Sequence, residues 1–224
     1  MSHEPLDRSP TLGATIDALL KTPGRLLFEM QEGSGPRVAF NLGIVAVLSL
    51  ALFGFIMSLF SGGAQLWAVP VKVAGGGIVA GLITLPSLYV FSCLNGMDMT
   101  LKKAAAILLA GLALVGLILT GLCPVAWVFT QSTGSVGFMG FLILSFWMIS
   151  LLFGVILVFK GARAAGVGHA GYLLFWAIIF VTVTLQMSTS LRPLIGPSEE
   201  TFLPQEKRFF LEHWITELGE SSRG

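Results

Sequence analysis

Residues 71–94 read VKVAGGGIVAGLITLPSLYVFSCL, and this stretch decides the fold. It matches the roughly 20 apolar residues that a helix needs to cross a hydrocarbon core. Its single charge, Lys72, stands at the start, where a long side chain can snorkel to the headgroups. Gly75, Gly76, Gly77 and Gly81 follow, and Gly77 with Gly81 has the GxxxG spacing. A helix alone in lipid gains nothing from such glycines, whereas one that touches a neighbour closely does. The stretch therefore reads as a membrane helix against which others pack.

Outward from it, the composition agrees. The 224 residues are 54% hydrophobic and 11% charged, against about 25% charged in ordinary soluble domains. Between Val38 and Ser198 the sole acid is Asp98, and the bases are Lys72, Lys102, Lys103, Lys160, Arg163 and Arg192. Charge is thus confined to the ends and to short connections. The class is an all-α, polytopic transmembrane helix bundle of about five spans, with amphipathic interfacial helices at both ends. Its expected parts are a cytoplasmic arm (1–37), a transmembrane domain (38–196) and an external tail (197–224). The first thirty residues carry charges throughout and lack the apolar run of a signal peptide, so insertion is expected to rely on the first span. Nothing in the charge pattern suggests nucleic acid.

In the arm, Leu12, Ile16, Leu19 and Leu20 fall on one helical face, with Ser9–Pro10 as cap and first turn. Thr22–Pro23 breaks this helix, and a second short one carries Leu26, Leu27 and Met30. Both are too short to span. They lie in the membrane interface, or on the cytoplasmic ends of the bundle, or both. A turn is expected at Gly33–Pro36. The spans are expected at 38–60, 71–94, 104–128 (interrupted by Pro124), 137–159 and 172–191. The connections expected between them are 61–65, a polar stretch 95–103, 130–135, and 160–171.

Positive charge sorts the connections into two sets. Arg8, Lys21, Arg25 and Arg37, then Lys102 and Lys103, then Lys160 and Arg163 share one side, which reads as cytoplasmic. The opposite side has two uncharged turns and a tail in which Glu199, Glu200, Glu206, Glu212, Glu217 and Glu220 outnumber the bases. The expected topology is N-terminus cytoplasmic and C-terminus external, in an inner membrane of bacterial type. Cys93 and Cys123 then differ in depth by roughly 25 Å, far beyond the reach of a disulfide.

Chemistry is sparse. No paired aspartates lie in a span, and His3, His169 and His213 fall in separate polar segments, so neither a metal site nor a coupled ion pathway is expected. No cofactor and no catalytic residue is expected. The polar content of the fifth span, Thr182, Gln186, Thr189 and Ser190, follows i, i+4, i+7, i+8. That stripe is either a lining for a polar solute or headgroup, or a set of interhelical hydrogen bonds, and the second is the simpler reading. Lys72 and Arg192 both map to the outer boundary, where they snorkel, hold a lipid phosphate, or meet Glu199 and Glu200. Trp67, Trp127 and Trp176 fall near span ends and read as interface anchors, while Trp147 is mid-span.

A charged arm, closely spaced spans and a short tail, with LPSLYVFSCLNG (residues 85–96) closing the second span, resemble the Yip family of five-span membrane proteins. The acidic-leucine-glycine-proline signature of eukaryotic members is absent; Ser34–Gly35–Pro36 is a faint echo of it. The resemblance implies a non-enzymatic organiser or partner of other membrane proteins, and implies no site residues.

Together these features lead to the expectation of a non-catalytic membrane subunit that anchors or organises a complex. Its partners would be lipid and other membrane subunits or further copies of itself. Gly77 and Gly81 would serve helix packing, and Phe210, Trp214 and Leu218 would form a docking stripe on an amphipathic tail helix. That stripe is too apolar to be left in water and its polar face too acidic for anionic lipid. The alternative is a passive conduit or lipid-handling protein built on the stripe of the fifth span.

Overall fold

The computed structural model describes residues 11–24, 26, 27, 35–63, 65–96, 100–164 and 171–190. Residues 28–34 with Met30 and Gly33, the C-terminal tail with Phe210, Trp214 and Leu218, and all three histidines lie outside the described residues. Within them the chain runs α1 (Leu12–Lys21), α2 (Gly35–Ser61), α3 (Gln65–Leu94), α4 (Leu101–Ser132), α5 (Val136–Ala164) and α6 (Gly171–Ser190), with no strand among the described residues. The all-α bundle read from the sequence is the observed architecture. Four helices, α2 to α5, are long and apolar enough to cross a membrane. The protein is an integral membrane protein whose outer faces contact lipid. α6 is apolar too, but shorter, at 20 residues.

Most helices extend past their expected ends, for local reasons. α2 begins at Gly35, so Pro36 is helical rather than part of a turn; proline suits a first turn, where its missing N–H has no intrahelical partner. α3 begins six residues before Val71 and holds both Pro70 and Pro86. α4 starts at Leu101, capped by the Thr100 hydroxyl, which accepts from the Lys103 N–H at 3.3 Å. Pro124 lies within α4 and does not end it. A proline inside a spanning helix removes one ladder bond, which packing against neighbours tolerates. Reversals are tight: Gly62 and Gly63 (φ +65° and +55°) join α2 to α3, and Gly96 (φ +80°) follows α3. That left-handed conformation suits glycine at a helix end.

α4 is the centre of the bundle, packing on α2, α5, α3 and α1. The expectation that the 71–94 helix holds this place is corrected. The best apolar window of α4 is 61% buried and that of α3 only 33%. The reason is small residues. Ala104, Ala106, Ala110, Gly111, Ala113, Gly116 and Ala126 are all buried along α4, and each lets a neighbouring backbone approach.

Glycines mark the crossings. A Cβ on Gly111 would lie 3.4 Å from the Gly154 carbonyl oxygen, and one on Gly154 would lie 3.1 Å from the Gly111 carbonyl oxygen, so α4 and α5 touch backbone to backbone. On the α2 side, a Cβ on Gly116 would meet the Ser49 Cβ at 2.8 Å. Between α2 and α3, a Cβ on Gly54 would lie 2.9 Å from the Pro70 Cα and 3.1 Å from the Val69 carbonyl oxygen. Gly54 thus makes room for the proline of the facing helix.

α1 lies on the end of the bundle formed by the start of α2 and α4. Its cap is Thr11, whose hydroxyl accepts from the Ala14 N–H, rather than Ser9–Pro10. Its buried face is Thr15, Ala18 and Leu19, while Leu12 and Leu20 are exposed. The face is rotated from the expected one because Thr15 is anchored: the Asn41 amide of α2 donates to its hydroxyl at 3.2 Å. Leu26 and Leu27 are buried as well.

The crossings yield a prediction. Gly54→Ala and Gly154→Leu must push backbone or branched side chains apart, which costs about 1–3 kcal/mol or more. Gly75→Ala, where a Cβ meets nothing within 4 Å, should leave stability unchanged. Thermal unfolding of the three purified variants in one detergent checks the ranking.

Candidate functional site

Four buried polar residues, Gln65, Lys72, Thr84 and Ser92, lie on α3, and α3 and α6 pack on each other. Their contact is fixed by one bond: the Trp176 indole N–H donates to the Thr84 carbonyl at 3.2 Å. The same carbonyl accepts from the Ser87 hydroxyl at 2.8 Å. Pro86 lies two residues on and cannot supply the N–H that would bond to the Leu82 carbonyl. The ladder is therefore open at Leu82, two residues before the carbonyl that the indole reaches. Trp176 is fully buried and stacks on Phe180, with centroids 5.2 Å apart and planes at 10°. Its expected role as an interface anchor is corrected: a buried indole needs an acceptor, and the α3 carbonyl is that acceptor. Trp67 and Trp127 are exposed, as anchors would be.

The stripe on α6 divides. Thr182 is exposed and Gln186 is half-buried; Thr189 and Ser190 are helical, and their side chains lie outside the described residues. The buried polar residue of this helix is Thr184, whose hydroxyl donates to the Phe180 carbonyl at 2.8 Å. Gly77 and Gly81 lie against other helices: a Cβ on Gly77 would meet Leu50 of α2 at 2.8 Å, and one on Gly81 would meet Leu112 of α4 at 2.7 Å.

Lys72 is 3% exposed and Gln65, one heptad earlier on the same face, is 4% exposed. Snorkelling of Lys72 is thereby corrected. Because α3 starts at Gln65, Lys72 sits two turns into the helix, on a face turned to the bundle. The Gln65 Oε1 is buried without a hydrogen-bond partner. Cys93 is exposed and Cys123 is buried, and neither is in a disulfide. No group of His, Cys, Asp or Glu among the described residues could hold a metal ion.

Most other buried hydroxyls bond locally, whereas those of Ser92 and Thr120 are buried without a hydrogen-bond partner. Ser58 donates to Phe55, Thr84 to Ala80 and Gly81, Thr130 to Trp127, and Ser150 to Phe146, each to a backbone carbonyl of its own helix. Sequence reading foresaw neither the Trp176–Thr84 bond nor the Gly111–Gly154 contact. The signals were there, in a tryptophan five residues into a span and in the glycines and alanines that recur along residues 104–126. No protein-family model, curated protein or solved structure matches the chain.

Trp176→Phe keeps the ring and removes only the donor. It should lower stability by about 0.6–1.7 kcal/mol. Trp176→Ala should cost about 3–5 kcal/mol through the cavity it leaves, and Trp127→Phe at an exposed position should cost little. Unfolding midpoints in detergent separate the three.

Proposed function

We propose that this protein is a non-catalytic integral membrane subunit that anchors or organises a membrane protein complex. The observation that carries the reading is the use of most of its buried hydroxyls. Ser58, Thr84, Thr130, Ser150 and Thr184 each bond to their own helix backbone. Residues used in this way are satisfied within one helix and do not converge on a substrate. Large apolar faces support the same reading, with Leu48, Phe141, Leu82 and Phe175 more than half exposed on four different helices. Such faces meet lipid and leave room for partner helices.

The proposal includes five spans, α2 to α6, with the N-terminus in the cytoplasm and the acidic tail outside, in an inner membrane of bacterial type. Kinship with the Yip family belongs to the same proposal. Within it the tail stripe Phe210, Trp214 and Leu218 docks onto protein, with Trp214 as the anchor. A conduit or lipid-handling role built on Thr182, Gln186, Thr189 and Ser190 is the competing reading, and the exposure of Thr182 does not favour an enclosed path.

Extraction in mild detergent followed by mass spectrometry should find a membrane partner, or further copies of this chain, at fixed stoichiometry. Trp214→Ala should loosen that assembly while leaving insertion intact. A lone monomer that also moves solute across reconstituted vesicles would overturn the reading in favour of the conduit. Cysteines placed at Ser2 and Ser222 should react from opposite sides of intact cells or vesicles; labelling from one side would remove the five-span topology.

A further inference from the structure

α4 and α5 share an end at which positive charge collects. A Cβ on Gly161 of α5 would meet Ile107 of α4 at 3.1 Å and Leu27 at 3.2 Å, so these helices are in contact at that level. Lys160 and Arg163 lie within two residues of the contact on α5, and Lys103 lies one turn beyond it on α4. At 1.5 Å per residue, these bases fall within about 6 Å of the contact along the helix axes. Lys102, Lys160 and Arg163 are exposed and Lys103 is half-buried.

Two electrostatic features add to this. Lys102 and Lys103 occupy the first turn of α4, which contains no acid. Cations there oppose the positive end of the helix dipole, so the position is unfavourable unless an anion is present. α4 and α5 themselves carry no acid, and Asp17 of α1 is engaged with Lys21 at 2.7 Å.

The face that carries these charges continues as an apolar one. Leu152, Ile156, Lys160 and Arg163 follow i, i+4, i+8, i+11, which is one stripe of α5. Leu152 and Ile156 are exposed. A ligand that fits must carry negative charge at one end and hydrocarbon at the other, in line with the helix.

We propose that this end of the α4–α5 pair binds an anionic phospholipid. Its phosphate lies over Lys102, Lys103, Lys160 and Arg163, and its acyl chains lie along Leu152 and Ile156. Basic clusters at the ends of membrane helices attract anionic headgroups in this way. The site does not depend on the subunit reading, since it would serve a conduit equally well.

Native mass spectrometry of the full chain, purified in neutral detergent and mixed with phosphatidylglycerol or phosphatidylcholine of matched chains, tests it. Phosphatidylglycerol should be retained over phosphatidylcholine by roughly tenfold or more. Lys102→Gln, Lys103→Gln, Lys160→Gln and Arg163→Gln combined should abolish that preference. The charge-keeping set Lys102→Arg, Lys103→Arg, Lys160→Arg and Arg163→Lys should retain it, as should Lys21→Gln. Should the combined Gln variant fail to fold, Lys160→Gln with Arg163→Gln, both at exposed positions, should still weaken the preference. Equal retention of the two lipids, or an undiminished preference in the Gln variants, overturns the site. Displacement of phosphatidylglycerol by millimolar inorganic phosphate also overturns it, by showing that a soluble anion is the better ligand.

Discussion

The bundle depends on backbones that touch. Lipid tails are as apolar as leucine, so burying a leucine between two membrane helices gains little over leaving it in the bilayer. What distinguishes the assembled state is closer packing, and the number of dispersion contacts rises steeply as backbones approach. Gly111 against Gly154 is the clearest case, because each glycine faces the carbonyl of the other. Gly116 against Ser49 and Gly54 against Pro70 repeat the arrangement on the other two sides. α4 takes part in the first two and also receives Gly81 of α3 against Leu112, so it meets α2, α3 and α5 closely, which is why it, and not a more hydrophobic helix, is the centre.

Polar groups follow the same economy. In lipid a hydroxyl without an acceptor is costly, and the nearest acceptor is the carbonyl three or four residues back. Most buried serines and threonines here take that local bond. Trp176 cannot, since its indole N–H lies too far from its own backbone. It reaches instead to α3, at a place where Pro86 has already loosened the ladder. The result is a directional link between two helices that share few other specific features.

Much of this was legible in the sequence. Long apolar runs between charged segments gave the helices, because charge cannot be buried cheaply in lipid. Helix ends were less legible: the sequence reading stopped at Val71 and Phe159, whereas the helices run from Gln65 and to Ala164. Polar and proline residues near a boundary can continue a helix into the headgroups as readily as end it. The central helix was also misread. Gly77 and Gly81 drew attention to α3 through their spacing, and both do face neighbours. Yet Gly111 and Gly154 meet because two separate helices bring them together, and no spacing within one chain segment encodes that. Trp176 shows the same limit: its position near a span end suited an anchor, and only the packing of α6 on α3 reveals its acceptor.

α6 occupies a distinct place in this scheme. It packs on α3 and barely on α5, its neighbour in sequence. Its 20 residues correspond to about 30 Å of helix, and it stands apart from the four longer helices that are apolar enough to cross a membrane. Its register against α3 is set by a fixed contact. Trp176, five residues from its start and fully buried, provides one, because the indole meets a single carbonyl and the ring stacks on Phe180. Thr84, the acceptor, lies near the middle of α3 and is itself buried against the bundle. The position of α6 is therefore tied through Thr84 to the packed helices α2, α3 and α4.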